Sequence, residues 1–424
     1  MMQKQPIYDS GFFYYKNKQL FIEDVAVADL AKQYGTPLYI YSRSALINNW
    51  QSFYAALKNY PHLICYAVKA NSNLAVLNTL AQCGAGFEIV SIGELERVLA
   101  AKGVPERIVF SGIGKQRHEL KRALEVNIFC FNVESFAELE LLNEVACELN
   151  VKAPVSLRIN PNVDAKTHPY ITTGLEDNKF GIAYQQALKI YCHAAQLSHI
   201  EIIGIDCHIG SQINTIEPFL QALEQLLILV DQLADQNIAI KHLDLGGGLG
   251  ISYKQEAIPT ITEYVTTILS KLHQRSIKLI LEPGRALVGN IGILVTKIEY
   301  LKTDAKKNFA IVDAGMNDLM RPALYQAWHD IIPIVLHNHL PQRNYDVVGP
   351  VCETACFLGK DRLLSIQTGD LLAVKQTGAY SFVMSSNYNT RARACELMVS
   401  DQQVQVVRKR ESISDIFSLE QLFG

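Results

Sequence analysis

The sequence predicts a (β/α)8 barrel, or TIM barrel, inserted between the two parts of an all-β domain. Eight short apolar runs lie between Leu63 and Arg285, segments with helical spacing separate them, and shorter alternating runs flank the whole region. Eight strands alternating with helices over roughly 240 residues match such a barrel in count and length. A doubly wound open sheet has the same local pattern and remains the alternative.

The predicted barrel strands are apolar or β-branched runs bounded by turn residues. They are Leu63–Val68, Phe87–Val90, Ile108–Ser111, Ile128–Asn132, Val155–Asn160, Ile202–His208, His242–Leu245 and Lys278–Leu281. The helical segments between them include Leu74–Gln82, Gly93–Ala101, Glu134–Leu149, Phe219–Leu233 and Ile261–His273.

The flanks predict a β-sandwich or β-barrel domain, because their apolar runs are short and separated by turn residues. These runs are Phe12–Tyr15, Gln19–Ile22, Leu38–Tyr41, Val295–Tyr300, Phe309–Val312, Tyr345–Val348, Leu371–Lys375 and Gln402–Val407. We expect the amino-terminal strands to join the carboxy-terminal ones. The predicted domains are therefore residues 1–43, 44–288 (the barrel) and 289–424.

The composition excludes several classes of function. With 49% hydrophobic residues, 19% charged residues and a net charge of −3, the chain has ample core material and no general attraction to nucleic acid or to anionic membranes. The first residues lack the apolar core of a signal peptide, and no apolar run is long enough to span a bilayer. Nine cysteines without a CxxC pair indicate a reduced, cytoplasmic compartment.

Polar and glycine residues collect at one end of the predicted barrel strands. In a TIM barrel the loops that follow the strands converge, and the chemistry gathers there. The residues at this end are Lys69, Glu88, Arg158, Asn160, His208, Gly246–Gly248, Glu282 and Arg285. So many of them at one end of successive strands indicate a site rather than packing.

Each of these residues also has a purely structural interpretation. Lys69 is either a salt-bridged lysine or a reactive amine, and the glycine triplet is either a flexible turn or an anion-binding loop. His208 is either a core histidine or a flat ring that stacks on a ligand, and Glu282 with Arg285 is either an ion pair or a ligand clamp. Taken together, an amine, a phosphate-binding loop, a stacking ring and a carboxylate are the parts that hold pyridoxal 5′-phosphate.

Several motifs in register resemble the barrel-type pyridoxal-phosphate decarboxylases of the alanine racemase-like fold, and within them the diaminopimelate decarboxylases. The similarity runs nearly end to end. Its motifs are YAVKAN (66–71), INPNVDAKTHPYITTG (159–174), HIGSQ (208–212), LDLGGGLG (243–250), EPGR (282–285), GPVCETACFLGKDR (349–362) and TGAYSFVMSSNYN (377–389).

The resemblance implies roles for individual residues. Lys69 carries the cofactor as a Schiff base, His208 stacks on its ring, Glu282 bonds the ring nitrogen, and Cys352 is the acid that protonates the product carbon. The remaining cofactor contacts are Ser211, Gly248, Pro283, Gly284, Arg285 and Tyr380. The implied substrate contacts are Arg285, Arg321, Tyr325, Glu353 and Tyr380. The resemblance also implies a homodimer in which the neighbouring subunit supplies the Cys352-Glu353 segment.

The substrate implied is meso-2,6-diaminopimelate, which loses carbon dioxide to give L-lysine. Its far end is a full amino-acid group, so it needs both a cation and an anion; Arg321 with Arg285, and Glu353, supply these. Two alternatives remain. One is a decarboxylase of ornithine or of a carboxylated polyamine on the same fold, and the other is a catalytically inactive regulatory homologue. We expect no metal, because the Cys352 and Cys356 pair lacks further ligands at zinc spacing.

The chain departs from the common family pattern at two places. Glu88 stands where aspartate is frequent and Ile92 where glycine is frequent. The second departure is the segment Thr354-Ala355-Cys356. These positions bear on local geometry and leave the residues with implied chemical roles in place.

Overall fold

The computed structural model describes residues 5–6, 11–164, 173–174, 178–272, 275–304 and 306–424. It separates into two compact units. The β unit comprises residues 1–48, 252–256 and 288–424, and the barrel unit comprises residues 49–251 and 257–287. Residues 165–172 of the INPNVDAKTHPYITTG motif and His273 of one predicted helix lie outside the described residues.

The amino-terminal part of the β unit is a small antiparallel sheet followed by a helix and a longer strand. Its elements are β1 (Gln5–Pro6), β2 (Phe13–Lys16), β3 (Gln19–Ile22), β4 (Val25–Ala26), α1 (Val27–Tyr34) and β5 (Leu38–Ser42). Asn17 and Lys18 join β2 to β3 with φ angles of 52° and 65°. Positive φ at both loop residues is the geometry of a two-residue hairpin whose twist matches its strands.

The middle of the chain alternates strands with helices, as the sequence predicts. In order, the elements are α2 (Arg43–Leu57), β6 (His62–Ala67), α3 (Leu74–Gln82), β7 (Gly86–Ile89), α4 (Ile92–Ala100), β8 (Ile108–Phe110), α5 (Arg117–Glu125), β9 (Cys130–Val133), α6 (Phe136–Glu148), β10 (Ala153–Asn160), β11 (Ile182–Ala183), α7 (Tyr184–Ala194), β12 (Ile200–Asp206), α8 (Glu217–Asp235), β13 (His242–Asp244), α9 (Ile261–Leu272), β14 (Lys278–Leu281) and α10 (Arg285–Val288).

Eight parallel strands close into a barrel. The sheet runs β10-β12-β13-β14-β6-β7-β8-β9, and β9 pairs again with β10. The pairing of β14 with β6, in which Ile280 lies opposite Leu63, joins the last strand to the first. This closure confirms the predicted (β/α)8 barrel and rules out the open sheet.

Local sequence signals explain where several barrel helices begin. Asn73, Ser91 and Ser135 precede α3, α4 and α6, and each side chain accepts a hydrogen bond from a backbone N–H in the first turn. Such capping satisfies amides that have no partner inside the helix. The strands between these helices are buried on both faces, which is why they read as nearly continuous apolar runs.

The carboxy-terminal part of the β unit is dominated by strands. Its elements are β15 (Gly292–Thr303), β16 (Asn308–Val312), α11 (Arg321–Tyr325), β17 (Ile331–Pro333), β18 (Arg343–Val348), β19 (Phe357–Leu364), β20 (Leu371–Val374), β21 (Cys395–Ser400), β22 (Gln403–Arg408) and α12 (Ile413–Phe417). The sequence analysis missed β17, β19 and β21. In β19 the pattern is interrupted by the charged Lys360-Asp361-Arg362 run, with Asp361 at a φ of 54°.

The amino-terminal strand β5 lies inside the carboxy-terminal sheet. It pairs antiparallel with β15 and parallel with β21. Phe13 and Ile22 of the small sheet pack in one apolar cluster with Ile293 and Leu397. The expected joining of the two chain ends into one β domain is therefore confirmed.

Candidate active site

Lys69 lies in a tight turn just beyond the first barrel strand. The sequence predicts a strand to Val68, but β6 ends at Ala67 and a single 3-10 turn, Val68–Ala70, carries the lysine. The Tyr66 hydroxyl donates to the Asn71 carbonyl at 2.9 Å, which ties the start of the turn to its end. The turn holds the amine at the carboxyl end of the barrel with 35% of its side chain exposed.

The Lys69 amine pairs with a carboxylate buried in the neighbouring strand. Its Nζ lies 2.7 Å from Oε1 and 2.6 Å from Oε2 of Glu88, a residue of β7 that is 1% exposed. The salt-bridged interpretation of Lys69 therefore holds in this structure, and its role as a reactive amine stays a prediction. A buried carboxylate at this distance favours the charged ammonium.

A second carboxylate lies close to this pair. Glu94, in the first turn of α4, accepts a hydrogen bond from the Val90 N–H at 2.7 Å. Burial, with the negative charge of Glu88, raises the pKa of Glu94 to about 7. The sequence analysis did not single out Glu94, because a glutamate three residues after the helix cap Ser91 is an ordinary capping pattern.

The glycine loop after β13 supports the His208 ring. The Gly247 N–H donates to His208 Nδ1 at 3.2 Å. Burial, with the positive charges of Arg158 and Lys69, lowers the pKa of His208 well below its usual range. The imidazole is therefore neutral, as a ring that stacks on a flat ligand should be. His208 itself lies beyond the end of β12 at Asp206, not within the strand.

The same loop needs glycine because its backbone passes close to other backbone. A Cβ on Gly247 would lie 2.2 Å from the Glu282 carbonyl oxygen. Gly248 has a φ of 116°, and a Cβ there would lie 2.7 Å from the Gly210 carbonyl oxygen. The next helix, α9, begins only at Ile261, as predicted, so among the described residues no helix N-terminus directly follows the glycines.

Glu282 stands among buried carboxylates under this loop. Its N–H donates to the Gly246 carbonyl at 2.8 Å, and its carboxylate forms a cluster with Asp206 and Asp244 whose oxygens lie within 4.8 Å of one another. Burial and the Asp244 charge raise the pKa of Glu282 well above its usual range, and burial raises that of Asp244 to about 7. The cluster thus holds protons that isolated carboxyls would have lost at neutral pH.

The sequence analysis missed Asp206 and Asp244. Both lie on barrel strands, and Asp244 accepts the Gly246 N–H at 2.8 Å. Their spacing offers a signal: Asp206 lies two positions before His208, and Asp244 lies two positions before Gly246. Residues two apart along a strand face the same side of the sheet, so both carboxylates are expected on the side of the site.

Three further contacts shape this end of the barrel. The Arg285 Nη2 donates to the Ser211 hydroxyl at 3.1 Å. The Arg158 guanidinium pairs with the buried Glu134 at 2.9 Å. The Pro283 carbonyl accepts the Ala67 N–H at 3.2 Å, which links the EPGR segment to the lysine turn.

These residues fit pyridoxal 5′-phosphate. Among the described residues no hydrogen bond reaches the buried Glu282 Oε1, an acceptor suited to a protonated ring nitrogen. Lys69 offers the amine, and neutral His208 offers a flat face. In the glycine loop the Gly246 and Gly247 amides donate to Asp244 and His208, so the Gly248 amide is the one of the triplet that suits a phosphate. Ser211, Gly248, Gly284 and Arg285 lie in the same unit, in the segments that follow β12, β13 and β14.

The remaining predicted site residues belong to the β unit. Arg321 is 6% exposed, whereas Tyr325 and Tyr380 are half-buried, the latter at a φ of 54°. Cys352 and Glu353 are exposed; the Asn389 side chain accepts the Cys352 N–H at 3.1 Å and the Tyr388 hydroxyl donates to Glu353. In contrast, Cys356 packs in an apolar cluster with Met316 and Val351.

The chain matches known proteins along most of its length. Residues 43–289 match the family model of the pyridoxal-dependent decarboxylases, pyridoxal binding domain. The diaminopimelate decarboxylase of Vibrio cholerae is 58% identical over 96% of this chain and 98% of its own, and that of Pseudomonas aeruginosa is 57% identical over 97% and 99%. The chain belongs to the diaminopimelate decarboxylase family. It is a pyridoxal-phosphate-dependent carboxy-lyase.

Solved structures agree with this family assignment. Diaminopimelate decarboxylase from Helicobacter pylori complexed with L-lysine is 42% identical, with a TM-score of 0.90 over 93% of this chain and 98% of that one. Diaminopimelate decarboxylase from M. jannaschii in co-complex with L-lysine is 37% identical, with a TM-score of 0.92 over 97% of this chain and 98% of that one. A lysine/ornithine decarboxylase from Vibrio vulnificus is 22% identical and shares the fold alone.

No helix among the described residues is long and apolar enough to cross a membrane.

Proposed function

We propose that this enzyme removes carbon dioxide from meso-2,6-diaminopimelate to give L-lysine, the last step of bacterial lysine biosynthesis. One observation carries the proposal: a lysine amine and a buried, unbonded Glu282 oxygen stand at the same end of a barrel in a chain 58% identical to a diaminopimelate decarboxylase. When bound, pyridoxal phosphate supplies the electron-accepting ring that decarboxylation needs.

The chain's own residues divide the work around that ring. Lys69 would hold the cofactor covalently until the substrate amine replaces it. Glu88 pairs with the Lys69 Nζ, and Glu94, whose pKa is raised to about 7, lies close to this pair. Glu282 would keep the ring nitrogen protonated, and His208 would cover one face of the ring. The remainder of the cofactor would be held by Ser211, Gly248, Pro283, Gly284 and Arg285, together with Tyr380.

The substrate contacts follow from its charges. Arg321, with Arg285, binds the distal carboxylate, Glu353 binds the distal ammonium, and Tyr325 and Tyr380 complete the set. Charge-assisted hydrogen bonds of this kind are strong and directional. Cys352 gives its Sγ proton to the carbon that has lost carbon dioxide. A thiol that is exposed in the single chain suits this role when a second subunit covers it.

We infer a homodimer in which one subunit supplies Cys352 and Glu353 to its partner. The exposure of this segment supports the inference, since an acid and a substrate ligand gain little from facing solvent. We also infer a cytoplasmic location, which the nine free cysteines support.

The test is carbon dioxide release by the purified holoenzyme from meso-diaminopimelate and, in parallel, from ornithine. Release from diaminopimelate alone supports the proposal. Release from ornithine alone would keep the barrel and Lys69 but overturn the substrate assignment. A Lys69→Ala variant is the control; it should lose both the absorbance of the bound cofactor and the activity, and near-normal turnover would contradict the role of Lys69. No release from either substrate, by a protein that still binds the cofactor, would point to another amino-acid substrate or to a regulatory role.

A further inference from the structure

A fully buried histidine holds the guanidinium of Arg321. His329 lies between α11 and β17, has 0% exposure, and its Nε2 lies 2.7 Å from Arg321 Nη1. The other ring nitrogen, Nδ1, lies 2.8 Å from the Lys375 carbonyl oxygen. The ring therefore connects the start of α11 to the residue that follows β20.

The two partners fix the protonation state of the ring. A carbonyl oxygen only accepts, so Nδ1 must carry the hydrogen; a guanidinium only donates, so Nε2 must present its lone pair. His329 is thus a neutral imidazole with the proton on Nδ1. A doubly protonated ring would turn a donor toward Arg321 and lose the bond.

The surrounding charges favour the same neutral form. Arg362 donates from Nη2 to the His329 carbonyl at 3.0 Å, and the Lys375 amine pairs with Asp330 at 3.2 Å. The Tyr253 ring meets the His329 ring edge-on at 5.3 Å. Arg321, Arg362 and Lys375 bring three positive charges to this region and Asp330 one negative charge, so a further cation on the ring is disfavoured.

The arrangement orients Arg321 without cancelling its charge. The guanidinium carbon lies 4.7 Å from the Tyr253 ring centre, a second contact that fixes its plane. A carboxylate in place of His329 would bind the same nitrogen but would neutralise it. A neutral acceptor and an aromatic face leave the positive charge available for an incoming anion.

We propose that His329 is a positioning residue that holds Arg321 ready for the distal carboxylate of the substrate, and so sets the preference for a substrate that carries this carboxylate, such as diaminopimelate, over one that lacks it, such as ornithine. This inference rests on the substrate role proposed for Arg321. It adds a determinant of specificity within the β unit that touches no reacting atom.

Two substitutions of His329 separate the role of its Nε2 acceptor from that of its Nδ1 donor. His329→Gln can place an oxygen near the former Nε2 and still accept from Arg321, but it loses the donor to Lys375. His329→Asn keeps a donor near the former Nδ1 and loses the acceptor. If His329 acts only as packing, both variants should behave alike.

The readout is ligand binding to the holoenzyme by calorimetry, with L-lysine and L-lysinamide. L-lysine carries the distal carboxylate, whereas lysinamide has the same size and amines with a neutral amide there. We expect His329→Asn to weaken L-lysine binding about tenfold, the effect of one hydrogen bond to a charged group, and to leave lysinamide binding unchanged. His329→Gln should keep a ratio of the two dissociation constants close to that of the wild type.

Unchanged lysinamide binding also reports that His329→Asn is folded. The inference is overturned if His329→Asn weakens the binding of L-lysine and of lysinamide equally, or if it leaves the ratio of their dissociation constants unchanged. Arg321→Gln distinguishes this failure from that of the proposed function. If Arg321→Gln abolishes the preference for lysine but His329→Asn does not, only the role of His329 is wrong. If Arg321→Gln keeps the preference, the substrate role of Arg321 itself is wrong.

Discussion

Both carboxylate oxygens of Glu88 lie within 2.7 Å of the Lys69 amine, and Glu88 is almost fully buried. The amine expected to carry the cofactor is thus held by an opposite charge on the next strand of the barrel. The Glu88 side chain spans the gap between β7 and the lysine turn.

Replacing Glu88 by glutamine should make Lys69 easier to deprotonate. The amide still accepts a hydrogen bond, but it no longer stabilises the ammonium, and an opposite charge at this distance shifts such equilibria by about 1 to 3 pH units. We expect the pH profile of pyridoxal-phosphate uptake by the apoenzyme to move to lower pH by about one unit. Stopped-flow absorbance measures this uptake.

The matched control for this experiment is Glu96→Gln on α4. Glu96 forms a solvent-exposed pair with Arg122 at 2.8 Å and lies away from the lysine. Its substitution should leave the uptake profile in place. An unmoved profile in Glu88→Gln would show that the carboxylate does not control the charge of Lys69.

Cys352→Ala should slow turnover by about a hundredfold or more, because positioned acids contribute factors of this size. The absorbance of the bound cofactor should persist, since Cys352 belongs to the β unit and not to the barrel loops that hold the ring. Cys147→Ala, at an exposed cysteine of α6, is the control and should behave as the wild type. Loss of cofactor in Cys352→Ala would contradict an acid role confined to proton transfer.

Asp244→Asn should reduce the pH dependence of apoenzyme stability. The pKa of Asp244 is about 7 in the fold, above that of an unfolded aspartate, so the native state binds more protons than the unfolded state. Stability therefore falls as pH rises from about 4 to about 7. Removing the titrating group should flatten this part of the curve, which thermal melting at several pH values measures.

Asp231→Asn is the control for that experiment. Asp231 is an exposed residue of α8 whose pKa is lowered by its hydrogen bond with Arg275, so it titrates below this pH window. Its substitution should leave the slope between pH values of about 5 and 7 unchanged. Equal slopes in wild type and Asp244→Asn would show that the carboxyl cluster does not take up protons as described.

Gly204→Ala should destabilise the barrel by about 1 to 3 kcal/mol through overpacking. A Cβ at Gly204 on β12 would lie 2.0 Å from His242 Nε2, inside the barrel. Urea denaturation measures the loss. Gly93→Ala is the matched control, since the nearest atom to a Cβ there is the Ser91 hydroxyl at 3.8 Å. A neutral Gly204→Ala would mean that the His242 ring moves freely.

Local patterns in the sequence predicted much of the barrel, because they report backbone periodicity. The predicted helix Leu74–Gln82 matches α3 at both ends, since Asn73 caps its start and its apolar spacing is regular. Strand β19 was not predicted, because the charged residues at its centre interrupt the alternation of apolar and polar residues that indicates a strand. The lysine turn was read as strand for the opposite reason: Val68 continues the apolar run although the backbone has already turned.

The barrel, the glycine loop, the lysine and the EPGR segment could be predicted from the sequence, because each is encoded by neighbouring residues. Which side chains meet follows from the tertiary structure alone. The pairing of barrel strands brings Glu88 to Lys69 and gathers Asp206, Asp244 and Glu282, and the segment after α11 places His329 against Arg321. These contacts depend on which strand and loop ends come together in space, and no local periodicity records that.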